Sequence, residues 1–114
     1  MPTLYCYGCV PVHLTALRSI AQRMHHAFVD LPSLDAIPTE MDAPTRFAVP
    51  FSAIFDLIKC LVERKATGEV SILALLPHGF RRDVQSESVN GYTVAYLSED
   101  LLEDTERAFA RLTR

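Results

Sequence analysis

The chain is poor in several residue types on which common functional sites depend. It has only four glycines and none of them are grouped, so it lacks the glycine-rich loop that holds nucleotide phosphates. Its three cysteines are too few, and odd in number, for the disulfide framework of a small secreted protein. This favours a reducing compartment. One C-x-x-C pair occurs without a second Cys or His pair, so no zinc spacing is recognised and no metal or cofactor is predicted.

Basic leaders and long apolar runs are also missing. The first twenty residues contain no Lys or Arg before Arg18 and are interrupted by Pro11 and His13, unlike a secretory signal peptide. The longest strongly apolar run, ILALLP at 72–77, is far shorter than the ~20 residues of a membrane-spanning helix. A net charge of −3 offers no general attraction to nucleic acid or anionic membranes. We expect a cytoplasmic protein that binds no membrane, with nucleic acid disfavoured as a partner.

What the chain does contain is typical of one globular domain. Hydrophobic residues make up 49% of its 114 residues and charged residues 22%. These values are close to the globular average, and the length suffices for one buried core. We therefore predict a single domain over residues 1–114.

The first third of the chain predicts a strand, a helix and a second short strand. Aromatic and branched residues alternate over 3–10, which predicts a strand. Leu4, Cys6, Gly8 and Val10 would face one side of it, and Tyr5, Tyr7 and Cys9 the other. From Pro11 apolar residues recur at helical spacing, which predicts a helix over about 11–25. HAFVDL at 26–31 then predicts the second strand.

A proline-rich segment follows at 32–50. Pro32, Pro38, Pro44 and Pro50 fall six residues apart. Each proline disfavours helix in the residue before it, so the pattern predicts an extended or turn-rich connection. Connections of this length are often lids or binding arms.

The second half predicts two more helices and two more strands. Ser52 is placed to cap a helix over about 52–66, which Gly68 would end. EVSILALL at 69–76 is almost continuously apolar, as in a central strand covered on both faces. We expect it to pair with a strand at 91–97 as an antiparallel hairpin around the polar loop 78–90. A last helix would begin at Ser98.

The resulting fold class is α+β, with the order β-α-(β)-loop-α-β-β-α and helices packed on a sheet of three or four strands. This order is also that of a thioredoxin-like fold, which draws attention to CYGC at residues 6–9. Thiol chemistry of that type needs a cysteine exposed at a helix N-terminus. Cys6 and Cys9 form the alternative redox pair. Residues three apart in a strand point to opposite faces, however, so the strand prediction favours two structural cysteines that cannot form a disulfide.

Two further places carry chemistry. PHGFRR at 77–82 puts His78, Phe80, Arg81 and Arg82 at the end of a central strand, where arginine beside an aromatic ring suits phosphate, carboxylate or single-stranded nucleic acid. Its alternative is a solvated loop without a specific role. Cys60 is predicted on the polar side of its helix, as an exposed thiol among carboxylates that oppose its ionisation.

These observations predict a small non-enzymatic regulatory or adaptor protein that binds another protein, or a second copy of itself as a homodimer. The contacts would lie on the 32–50 arm and the 78–90 loop, with His78, Phe80, Arg81 and Arg82 as the binding residues. No catalytic residue is assigned in this interpretation. One alternative is a thioredoxin-like thiol–disulfide protein using Cys6 and Cys9. The other is a nucleic-acid-binding regulator using the 78–90 loop.

Overall fold

A computed structural model describes residues 2–38, 45–64, 70–77, 85–89 and 91–98, together with the single positions Thr105 and Arg107. The strands are β1 (Thr3–Tyr7), β2 (Ala27–Leu31), β3 (Thr45–Pro50), β4 (Val70–Leu76), β5 (Gln85–Val89) and β6 (Tyr92–Ser98). The α-helices are α1 (Pro11–Arg23) and α2 (Ile54–Glu63). Short 3₁₀ turns occupy Leu34–Ala36 and Phe51–Ala53. The prediction of a mixed helix and strand chain is confirmed.

The strands form one sheet in the order β2-β1-β3-β4-β6-β5. Neighbours from β2 to β6 run parallel, and β5 alone is antiparallel, pairing with β6. The prediction of three or four strands is therefore wrong. With β5 set aside, the parallel strands follow the order 2-1-3-4-5 of flavodoxin-like doubly wound sheets.

The predicted hairpin between β4 and β6 is also wrong, and the thioredoxin-like topology that depended on it is wrong as well. β4 and β6 are adjacent but parallel, with Ile72 opposite Val94. The antiparallel partner of β6 is β5, with Val89 opposite Tyr92. Gly91 has a φ of 86° between these two strands, as expected for the Asn-Gly sequence that is a strong hairpin signal.

The interpretation of 32–50 as a connection is wrong for its last six residues. Thr45–Pro50 is the central strand β3, paired with β1 on one side and β4 on the other. Phe47, Ala48 and Val49 are fully buried. Pro50 is tolerated because it is the last residue of the strand, where the chain leaves the sheet. Residues 39–44 lie outside the described part of the chain.

The helices α1 and α2 cover opposite faces of the sheet. Right-handed crossovers that leave neighbouring strands in opposite directions place their helices this way. The core under α1 contains Leu4, Cys6, Leu17, Ala21, Ala48, Leu73, Leu75, Ala95 and Leu97. The core under α2 includes Phe47, Val49, Ile54, Leu57, Ile58, Leu61, Ile72 and Val94. β4 is buried at all seven positions, which confirms a central strand covered on both faces.

The helix boundaries are shorter than the predicted ones. α1 ends two residues early, at Arg23, and α2 begins at Ile54 after a 3₁₀ turn that contains Ser52. Ser52 is therefore not the N-cap, and Ser98 is the last residue of β6. Thr105 and Arg107 are helical, while Gly68 and the rest of the predicted last helix lie outside the described residues. No helix in the described ranges is long and apolar enough to cross a membrane.

Candidate functional site at the ends of β1 and β3

The direction of winding reverses between β1 and β3. The chain leaves β1 through α1 to reach β2, and leaves β3 through α2 to reach β4 on the other side. In open parallel sheets such a reversal opens a crevice at the carboxyl ends of the two strands, where ligands commonly bind. Gly8, Cys9 and Val10 follow β1 at this edge, and Phe51 follows β3. The CYGC segment therefore lies at the reversal point.

Gly8 places both cysteines of this segment on the same side of the sheet. β1 ends at Tyr7, and Gly8 has a φ of 73°, in the left-handed region that glycine adopts without cost. After this turn Cys9 packs against the core under α1, the core that contains Cys6. The prediction that Cys6 and Cys9 face opposite sides is therefore wrong, because Cys9 lies outside the strand to which the alternation applies.

The two thiols lie near each other. Cys6 is fully buried, and Cys9 is half-buried. Both are free thiols, close enough for each to shift the pKa of the other. The Cys9 thiol lies 3.5 Å from the carbonyl oxygen of Ala48, to which it donates. Ala48 is the β3 residue opposite Cys6 in the β1–β3 pairing. The Cys9 thiol is thus held between β1 and β3, beside Cys6.

This arrangement makes the two thiols unequal acids. The neighbouring Cys6 thiol lowers the pKa of Cys9, although burial and the nearby Asp30 carboxylate act in the opposite direction. For Cys6 the neighbouring Cys9 thiol, burial and the charge of Asp30 all raise the pKa. The half-buried Cys9 is therefore the thiol that ionises more easily, while Cys6 stays protonated.

Exposed apolar side chains lie at the same edge of the sheet as this site. The starts of α1 and α2 both lie at the edge where β1 and β3 end. Val10 and Val12 are 49% and 70% exposed at the start of α1. Phe51 and Phe55 are 40% and 71% exposed at the start of α2. We call these four residues the apolar rim.

Cys60 does not match its prediction as an exposed thiol. It is half-buried on α2, and its thiol donates to the carbonyl oxygen of Leu34, 3.7 Å away. Arg64 holds the same 3₁₀ turn by donating to the carbonyl oxygens of Asp35 (2.9 Å) and Ile37. Cys60 therefore serves to pack α2 against the segment that follows β2.

The other predicted binding residues, His78, Phe80, Arg81 and Arg82, lie outside the described residues, so the nucleic-acid interpretation stays a prediction. Within the described ranges no three His, Cys, Asp or Glu side chains are grouped so as to hold a metal ion. Comparisons with protein-family models, with curated proteins and with solved structures found no match. Arguments about function therefore depend on the site itself.

The thiol pair is the feature that reasoning from the sequence underestimated. The signal was present in Gly8, because a glycine inside C-x-G-C permits the left-handed turn that rotates the second cysteine back beside the first. A strand assignment that ran through Gly8 hid this possibility.

Proposed function

We propose that this protein is a dithiol–disulfide protein in which Cys9 attacks a disulfide of another protein and Cys6 completes the exchange. The observation that carries this proposal is that a fully buried Cys6 and a half-buried Cys9 lie on the same side of the sheet at its reversal point, close enough to shift each other's pKa. Unequal thiols of this kind suit the two successive steps of thiol–disulfide exchange.

In the first step the Cys9 thiolate attacks one sulfur of the partner's disulfide. A mixed disulfide forms between Cys9 and the partner, and the partner's other sulfur leaves as a thiolate. In the second step Cys6 loses its proton and attacks the Cys9 sulfur. This forms the Cys6–Cys9 disulfide and releases the partner's remaining thiolate. Two electrons pass from the cysteine pair to the partner, whose disulfide is reduced to two thiols once its thiolates are protonated.

The different pKa values of the two cysteines fit these roles. A nucleophilic thiol should be ionised near neutral pH and reachable, and Cys9 has both a lowered pKa and partial exposure. Burial of Cys6 protects it from attack by other reagents, while its thiol lies near that of Cys9 on the same side of the sheet. Cys6 can therefore resolve the mixed disulfide within the same chain.

Alkylation rates test the first step. With iodoacetamide at pH 7, we expect Cys9 to react faster than Cys60 and much faster than Cys6, as followed by peptide mass spectrometry. Cys60 is the internal control because it is also half-buried but has no neighbouring thiol among its described contacts. Equal slow labelling of Cys9 and Cys60 would contradict an activated Cys9.

Oxidation tests the whole reaction. Incubation with oxidised glutathione should remove two hydrogens from the chain, with the new disulfide mapped to Cys6 and Cys9. Cys6→Ser should stop at the mixed disulfide with Cys9, and Cys60→Ser should behave as the unaltered protein. Failure to form the Cys6–Cys9 bond at any glutathione ratio would sink the proposal.

The partner in this proposal is a protein, which retains the protein-binding part of the sequence interpretation. Exposed side chains of the apolar rim lie at the same edge as Cys9 and would lose water contact beneath a protein surface. The occupant we infer is the protein that presents the disulfide, because the rim and the thiols share one edge of the sheet.

Comparing a protein disulfide with oxidised glutathione separates docking on the apolar rim from the thiol–disulfide exchange itself. Phe55→Asp and Val12→Asp should slow reaction with a protein disulfide such as that of insulin and leave the reaction with glutathione unchanged. Val62→Asp is a matched control, since Val62 is 48% exposed on the last turn of α2, away from that edge. Equal rates on insulin for all three variants would exclude the apolar rim as the docking surface.

A further inference from the structure

Asp30 occupies the position beside the buried thiol. It lies on β2, where the parallel β1–β2 pairing places it directly opposite Cys6. Register partners on neighbouring parallel strands lie about 5 Å apart and project to the same face. Phe28, two residues earlier on β2, packs against the core under α1, so this face of β2 is the one that carries Cys6. Asp30 is nevertheless exposed to water.

The charge of Asp30 reaches both thiols. Its carboxylate raises the pKa of Cys6 and opposes the lowering of the pKa of Cys9. From α1, the charged group near this face is Arg18, whose guanidinium carbon lies 5.3 Å from the centre of the Phe28 ring. A carboxylate that only repels thiolates would hinder the proposed exchange. A carboxylate that accepts a proton would serve its second step.

We infer that Asp30 is the proton acceptor for Cys6 when Cys6 attacks the Cys9 mixed disulfide. This inference rests on the proposed function. The Cys6 side chain is fully buried under α1, whereas Asp30 lies opposite it on the neighbouring strand and is open to solvent. The proton passes from the Cys6 sulfur to the Asp30 carboxylate and then to water. The electron pair left on Cys6 forms the new S–S bond, and the Cys9–partner bond breaks with its pair leaving on the partner's sulfur.

A two-phase assay separates the two steps. The neutral disulfide dithiodipyridine releases one coloured thiopyridone when Cys9 attacks it and a second when Cys6 resolves the mixed disulfide. The first phase depends on reagent concentration, and the second does not. The assay uses the full chain carrying Cys60→Ser, so that no third thiol contributes.

Asp30→Asn should change the two phases in opposite directions. The first phase should become about threefold faster, because a screened negative charge near the Cys9 thiolate is removed. The second phase should become about tenfold slower, a smaller effect than general bases usually give, since water reaches this side of the site. Asp30→Glu keeps the carboxylate and should restore much of the second-phase rate.

Asp35→Asn is the matched control, because it removes the same charge from an exposed turn that packs against α2 on the opposite face. It should leave both phases unchanged. If Asp30 acted only through its charge, Asp30→Asn would lower the pKa of Cys6 and speed the second phase. An unchanged or faster second phase therefore overturns the inference and leaves the proposed function intact. Absence of a second phase in the protein that carries Cys60→Ser and keeps Asp30 would overturn both this inference and the proposed function.

Discussion

At the scale of single residues, Gly8 determines the geometry of the thiol pair. Its φ of 73° is unfavourable for any residue with a side chain. A Cβ there would lie 3.6 Å from Cγ of Pro50, which is ordinary contact. The cost of adding a side chain at Gly8 is therefore one of backbone strain. Relief of that strain would swing Cys9 away from Cys6.

Gly8→Ala should lower the free energy of unfolding by about 1–2 kcal/mol and slow the reaction of Cys9 with iodoacetamide. Gly91→Ala is the control, since Gly91 has a φ of 86° with open space around it and lies in the turn before β6. Gly91→Ala should lower the free energy of unfolding by a similar amount, measured by urea unfolding, and leave the rate at which Cys9 reacts with iodoacetamide unchanged. Equal effects of the two variants on the Cys9 rate would show that Gly8 has no special role at the site.

His26 makes the stability of the fold depend on pH. Its Nδ1 lies 2.8 Å from the carbonyl oxygen of Met24 and therefore donates to it, while Nε2 is buried without a hydrogen-bond partner. Burial lowers the pKa of His26, and the positive charge of Arg46 lowers it further. Between that lowered pKa and the ordinary value of about 6.5, the unfolded chain binds more protons than the folded chain.

Stability should therefore fall as the pH drops through 6.5, and this contribution should be fully present above that value. His26→Asn keeps a donor near Met24 and removes the titration, so its urea midpoint should fall less between pH 7.5 and 5. His25→Asn is the control because His25 is exposed. If the urea midpoint fell equally for His26→Asn and the unaltered chain, His26 would not be the source of the pH dependence.

At the scale of elements, α1 ends in a Schellman motif that uses an unfavourable residue. The backbone N–H of His25 donates to the carbonyl of Gln22 (3.1 Å), and that of His26 to the carbonyl of Ala21 (2.9 Å). His25 takes a φ of 58° to do so. His25→Gly should raise the free energy of unfolding by about 0.5–1 kcal/mol, measured by urea unfolding at pH 7.5. His25→Ala, which keeps the strain, should bring no gain, and a gain from alanine would exclude this explanation.

Elements whose pattern is local were predictable, and those that depend on distant partners were not. α1 and β4 have clear apolar periods, and they begin or end within two residues of the predicted bounds. β3 was hidden by prolines on either side, although RFAV between them is apolar enough for a buried strand. Pro50 is compatible with this strand because it is the last residue of β3. The proximity of Cys6 and Cys9 was missed for a related reason, because it depends on β1 ending at Tyr7, before Cys9.

At the scale of the whole molecule, strand order follows from pairings between residues far apart in the chain. Helical or strand periodicity says which face of an element is buried but not which strand lies beside it. β4 and β6 were therefore paired by proximity in sequence, whereas Asn90-Gly91 already favoured a hairpin of β6 with the residues just before it. The reversal of winding between β1 and β3, at which Cys9 lies, can be recognised only once that order is known.

Amide hydrogen exchange tests this order directly. In β3 the N–H groups point alternately towards β1 and β4, and the strand pairs with β1 over 45–48 and with β4 over 45–50. In β2, the edge strand, every second N–H points away from the sheet. We expect the amides of Phe47, Ala48 and Val49 to exchange only with global unfolding and those of β2 to include a fast set. If residues 45–49 exchanged as fast as the exposed amides of β2, β3 would be a connection after all, and the site at its end would not exist.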